Sequence, residues 1–279
     1  MKHTSVPFAF GGLALGLLLS CGLGGCGSDD DSGTASNGAG GQGAGGQGAG
    51  GQGSGGEGGG ASGTVATQFW TSFDMSKPEG VNGALGPLFN AALQDRTIMM
   101  LIQRDDTGAD GPVVRTGSAK VVVGADTEDP TDDVFDFNLA STCSDAAGVE
   151  QACDIEVGTA TIADDADGYH TTEKTLINAY SSKFKMVVRM REVDLTVTTA
   201  DCDFDLCATF KGAVTTTDAS STIFEVTTGD PASRTDLKTF MENFGNLPDT
   251  MIPNAAGEME AAWTFEGTFT ADEVEFKAD

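Results

Sequence analysis

Trp263-Thr264-Phe265-Glu266-Gly267-Thr268-Phe269-Thr270 is the stretch on which the fold turns. Trp263, Phe265 and Phe269 share one side, and Thr264, Glu266, Thr268 and Thr270 share the other. A period of two is that of a half-buried β-strand, with one face packed and one face wet. The same alternation sets Phe135, Phe137 and Leu139 opposite Asp136 and Asn138. Comparable strand patterns, rich in Thr, Val and Phe, occur at 65–73, 97–103, 119–123, 155–162, 175–180, 184–198, 204–216, 223–226 and 274–276. The run at 97–103 (TIMMLIQ) is apolar on both faces, as in a strand buried on both sides. Short strands separated by Asp- and Gly-rich turns predict a mainly-β domain, an antiparallel sandwich or a curled half-barrel.

Two short helices interrupt this pattern. Leu85, Leu88, Phe89, Ala92 and Leu93 fall at helical spacing, with Pro87 near the first turn, and predict a helix over about 86–95. A second is predicted over about 234–244. There Ser233 is the N-cap and Asp236 stands three residues on. Leu237, Phe240, Met241 and Phe244 form the apolar stripe, and Gly245 closes the end. That Phe/Met stripe reads as a core contact rather than a cofactor or lipid groove.

The strand patterns begin after residue 63, leaving 216 residues for one domain with its own core. The preceding segment has a different composition. Met1-Lys2-His3 leads into an apolar run over 8–19, too short to span a bilayer comfortably and matching the h-region of a signal peptide. Residues 27–63 are dominated by glycine, with GAGGQ starting at Gly38, Gly43 and Gly48 and GSGGE at Gly53. Such a tract lacks the apolar bulk to order itself, and as a flexible coil of ~37 residues it reaches roughly 30–35 Å. The expected organisation is a signal segment over 1–25, a tether over 26–63 and a β-rich domain over 64–279.

Two stretches at the end of the apolar run, Leu18-Leu19-Ser20-Cys21 and Leu23-Gly24-Gly25-Cys26, resemble a bacterial lipobox, whose cysteine is lipidated and becomes the new N-terminus. Cysteine parity favours Cys26, with Cys21 the alternative. Acylation at Cys26 leaves Cys143, Cys153, Cys202 and Cys207, an even number, whereas acylation at Cys21 leaves one thiol over. Local pairing, 143 with 153 and 202 with 207, is the simplest of the three connectivities. The residue after either candidate is glycine, which by the same resemblance implies release to the outer membrane. The expected partner at that end is therefore the membrane, through a lipid anchor.

The charge balance excludes one class of partner. The whole chain carries a net −27, and beyond residue 25 there are 14 basic and 42 acidic residues, a net of −28. Such a field repels nucleic acid. It attracts divalent cations, and Asp164, Asp165 and Asp167 before Gly168 resemble part of a calcium loop, although the EF-hand positions on either side hold Ala163 and Lys174. Calcium is thus the candidate metal. A second acidic cluster comprises Asp126, Glu128, Asp129, Asp132 and Asp133. Against this background, 183–191 is unusual. Read as a strand, it puts Lys183, Lys185, Arg189 and Arg191 on one face as a candidate anion groove, or as partners for acids on a neighbouring strand.

No motif of nucleophilic or cofactor chemistry is present: there is no GxSxG and no glycine-rich phosphate loop between a strand and a helix. His170 is the only histidine beyond residue 3 and reads as a loop residue. Lipobox, low-complexity spacer and Thr-rich β-domain together resemble the secreted lipoproteins of myxobacteria and related bacteria. That resemblance implies no activity and no site residues. The functional expectation is a non-enzymatic binding or surface-interaction module on the outer membrane, with a protein or polysaccharide partner unspecified. The alternatives are a secreted hydrolase using paired carboxylates, and a carrier of lipid or another hydrophobic ligand, which requires an apolar cavity between sheet and helix.

Overall fold

The computed structural model describes residues 64–123, 133–200, 202–225 and 234–277. In chain order the elements are β1 (Val65–Lys77), α1 (Glu79–Gln94), β2 (Met100–Asp105), β3 (Val113–Val123), β4 (Val134–Phe137), β5 (Ala140–Ser144) and β6 (Glu150–Asp154). There follow β7 (Gly158–Asp165), β8 (Gly168–Thr171), β9 (Thr175–Ser181), β10 (Met186–Thr198), β11 (Leu206–Thr215) and α2 (Thr216–Ser221). The last are β12 (Ile223–Glu225), β13 (Arg234–Asp236), α3 (Leu237–Asn243), β14 (Thr250–Pro253), β15 (Met259–Glu273) and β16 (Glu275–Phe276).

The domain is mainly β, and its sheet curls until it meets itself. The order β3-β2-β1-β15-β11-β10-β8-β7 is antiparallel throughout, and β7 pairs in turn with the first half of β3, Val113–Thr116 against Thr161–Gly158. Eight strands thus form a closed ring, which leaves those strands no free edge along the closing seam. Beside the ring, β4 continues from the second half of β3, β16 runs parallel to β4, β14 flanks β15, and β9 lies along the first half of β10.

The alternation at 263–270 is the centre of this arrangement. β15 lies between β1 and β11 with Trp263, Phe265, Gly267, Phe269 and Ala271 buried. Its inward row contains a glycine because the neighbouring strand needs the room. β11 reads Phe210-Lys211-Gly212, β15 reads Phe265-Glu266-Gly267, and the antiparallel register sets Phe210 opposite Gly267 and Gly212 opposite Phe265. Each ring lies across the partner's glycine, a pairing that restores the packing glycine lacks in a strand. On the outer face Lys211 Nζ meets Glu266 Oε1 at 2.9 Å, and Lys77 approaches the same oxygen at 3.4 Å. Inside, Trp70 stacks on Phe269 with centroids 3.7 Å apart, and Phe73 sits 5.5 Å from Phe210. Burying each such side chain contributes about 1.5–3 kcal/mol.

The first helix starts earlier than its sequence pattern suggests. α1 begins at Glu79, where the acidic side chain suits the positive end of the helix, and Pro87 falls in its interior rather than in its first turn. The proline gives up one backbone hydrogen bond, and docking compensates. Val81 and Leu93 are buried, and Asn90 brackets Phe73 of β1 by accepting its N–H at 2.8 Å and donating to its C=O. The late helix is shorter than expected: Arg234–Asp236 is strand, and the cap is Asp236, which accepts the Thr239 N–H at 2.7 Å. Gly245, with φ +77°, ends it as its position in the sequence predicts. Ser233 lies outside the described residues. A third helix, α2, follows β11 in the gap that the sequence left unassigned between the strand patterns at 204–216 and 223–226. Leu139 does not share the buried face of Phe135 and Phe137, because β4 ends at Phe137 and Leu139 is exposed.

Candidate functional site

At one end of the ring, β1, β10 and β15 bring Met75, Val188 and Phe265 to the floor of a cavity of about 590 Å³. α1 forms one wall through Leu85, Leu88, Phe89 and Ala92, four of the residues read from the sequence at helical spacing. Only Ala92 of these four is fully buried, and Leu88 is exposed at the opening. The opposite wall is the β12–β13 hairpin and α3, through Ile223, Phe224, Leu237 and Phe240. Phe224 and Phe240 meet edge to face at 5.4 Å, which fixes the hairpin against the helix. The stripe of α3 therefore divides its roles. Met241 is core, whereas Leu237 and Phe240 also line the cavity.

The polar rim comes from three segments. Ser144, Gly148 and Glu150 belong to the β5–β6 hairpin, which the sequence presented only as a loop between two cysteines. Lys183 and Lys185 come from the turn between β9 and β10, and Glu225 and Arg234 from the ends of β12 and β13. The hairpin is stapled by Cys143–Cys153, with Cα atoms 5.7 Å apart, and the Ser144 N–H donates to the Lys185 C=O at 2.8 Å. Lys185 is left-handed, φ +51°, a conformation a lysine adopts only when its surroundings hold it there. The Lys183 ammonium stands 5.8 Å from the ring centroid of Phe184, itself a lining residue. The Arg234 guanidinium lies 3.9 Å from Glu225 and packs onto Gly148, whose missing side chain leaves it space.

This geometry corrects the reading of 183–191 as one basic strand face. The chain turns at 182–185, and β10 begins only at Met186. Lys183 and Lys185 reach the cavity rim, but Arg189 and Arg191 do not line it. Arg189 donates to the Asp154 C=O at 3.3 Å. Arg191 makes a two-pronged contact with Asp218 of α2, at 2.6 and 3.2 Å. That hydrogen bond, outweighing partial burial, raises the guanidinium pKa and leaves Arg191 fully committed to structure.

The calcium candidates are not gathered into a site. Asp164, Asp165 and Asp167 fall on the β7–β8 hairpin, where alternation sends them different ways. Arg104 takes Asp164 at 2.9 Å and His170 takes Asp165 at 2.8 Å. No group of three His, Cys, Asp or Glu side chains suited to a metal exists among the described residues. Of the second acidic cluster, Asp126, Glu128, Asp129 and Asp132 lie outside the described residues. Asp133 is buried against Arg96 at 2.5 Å. The cysteines pair locally, 143 with 153 and 202 with 207, the latter with Cα atoms 5.9 Å apart. Cys21 and Cys26 lie outside the described residues.

Three carboxylates among the described residues are displaced downward from their ordinary titration range. Hydrogen bonds from Thr107 lower Asp105, and the Lys211 hydrogen bond lowers Glu266. Glu260 is lowered because hydrogen bonds from Thr216 and Thr217 outweigh its burial. A general acid needs the opposite shift. No described helix is long and apolar enough to cross a membrane. No protein-family model, curated protein or solved structure matches the chain.

Proposed function

We propose that this chain is a lipid-anchored, non-enzymatic binding protein of the outer membrane whose β-domain takes the apolar part of a ligand into the cavity under α1. The cavity carries the reading. Its volume of about 590 Å³ falls in the range of ~300–1,000 Å³ typical of small-molecule sites, and its walls are mostly aliphatic and aromatic; the buried polar lining residue Thr222 donates its hydroxyl to the Val187 and Asp218 carbonyls. The carrier reading of the sequence required an apolar cavity between sheet and helix, and this one lies there. Anchor and tether rest on the lipobox at Cys26 and the glycine repeat. They would hold the domain roughly 30–35 Å from the lipid surface, free to collect and release a ligand.

Titration with Nile red, a neutral apolar dye, tests the cavity directly. The expected result is saturable fluorescence enhancement with one dye per chain. It should weaken at least tenfold in Leu85→Trp and in Met186→Trp, which fill the space from the α1 wall and from the start of the floor strand β10, with far-ultraviolet circular dichroism unchanged. Absence of saturable binding, or equal binding in both filled variants, would overturn the proposal.

A further inference from the structure

We infer that the ligand is an amphiphile with an anionic head, and that Lys183 and Lys185 hold that head at the rim; this rests on the cavity reading above. Positive charge is scarce in this chain, 15 basic against 42 acidic residues. Among the described residues most cations are occupied: Lys77 and Lys211 by Glu266, Lys120 by Asp136, Lys174 by Asp194, and Lys238 by Glu242. Lys183 and Lys185 have no carboxylate within 4 Å among the described residues, although the chain carries 42 acids. Both line the apolar cavity under α1. The other charges on the rim do not cancel them. Glu225 faces Arg234, which leaves Glu150 against two lysines.

The two lysines are also held in place. Phe184 lies between them in sequence with its ring in the cavity wall and the Lys183 ammonium near its face. Lys185 keeps a left-handed backbone that glycine or asparagine adopts more readily, and its carbonyl is tied to the stapled hairpin. The distant acids do not undo this local field, because at physiological salt charges more than about 8 Å apart are largely screened. The apolar cavity, about 590 Å³, gives the tail its place behind the rim.

Displacement of Nile red from the full chain by dodecanoate, dodecyl phosphate and dodecanol at neutral pH separates head from tail. All three should displace the dye, the two anions at about five- to tenfold lower concentration, as expected for two solvent-accessible ion pairs. A preference between the anions names the head group. Lys183→Gln/Lys185→Gln should erase the anions' advantage and leave dodecanol unchanged. Lys185→Gly, which removes the charge while relaxing the backbone, should lose about half of that advantage without loss of thermal stability. Equal displacement by anions and alcohol, or an advantage that survives the double substitution, overturns the inference while the cavity reading stands. Failure of Nile red itself to bind overturns both.

Discussion

Gly267→Ala is the sharpest test of the barrel's packing. Gly267 faces inward across from Phe210, and a methyl group there would fall inside the van der Waals shell of the Asp74 carbonyl oxygen and 2.9 Å from Phe210 Cε1. The oxygen is backbone in a strand registered against β15, with Asp74 opposite Thr268, so it cannot turn aside. Overpacking costs about 1–3 kcal/mol, and a backbone obstacle puts this site in the upper half of that range. Restricting the unfolded chain returns about 0.4–1 kcal/mol, for a net loss of about 2 kcal/mol. Gly212→Ala is the internal control. Its methyl group would meet Val193 Cγ2 at 2.7 Å and the Arg191 carbonyl oxygen at 3.1 Å, a looser backbone approach than the one at Gly267, so the net cost should be smaller, about 1 kcal/mol. At about 2–4 °C per kcal/mol for a domain of this size, Gly267→Ala should lower Tm by about 4–8 °C and Gly212→Ala by less than about 4 °C. Reversible thermal unfolding followed by circular dichroism measures both. Equal shifts, or a neutral Gly267→Ala, would mean that the Phe-Gly pairs do not pack as described.

Three further outcomes are expected. Glu266 is held below the usual glutamate value of 4.5 by Lys211 and then by Lys77. Its contribution is present above that value and is lost as pH falls through the lowered one, so the stability gap between wild type and Glu266→Gln should close between about pH 5 and pH 3. A gap constant with pH, measured in a series of melts, would contradict this. Arg191→Met strands Asp218, whose side chain is 10% exposed, and should cost about 3–5 kcal/mol in urea unfolding. Arg191→Met/Asp218→Leu should regain most of that loss, and a single substitution tolerated as well as the double would show that the pair is not desolvated. Cys26→Ser should abolish palmitate labelling of the chain while Cys21→Ser retains it; the reverse pattern would move the anchor to Cys21.

Strand content was legible because it is local. The alternation at 263–270 needs only a buried side and a wet side, and β15 supplies both. The glycine in its buried row was not interpretable from its own strand, because its reason is Phe210, fifty-seven positions away in sequence. Closure of the curl was equally hidden. It depends on four residue pairs between β3 and β7, and nothing in either segment names the other. At 183–191 the pattern itself misled. Lysine normally avoids the left-handed region, so nothing in Lys183-Phe184-Lys185 signals the turn that separates two rim lysines from two structural arginines. Pro87 misled in a similar way, since its usual place in the first turn is a tendency that docking overrode. The cavity was foreseeable only as a condition. The stripes of α1 and α3 were visible, but the distance between them is set by β12 and β13, whose three-residue strands carry little signal of their own.

The position of β15 in the ring sets a schedule. Thr71 and Thr270 share a hydrogen bond across 199 positions, and a ribosome adding about 5–20 residues per second needs roughly 10–40 s to cover that span. Throughout that interval β1 can pair only with β2 on one side, while Trp70 waits for Phe269 and the other edge stands open. Synthesis that stops between Thr215 and Met259 therefore releases an apolar sheet with two adhesive edges, β1 and β11, rather than a smaller barrel.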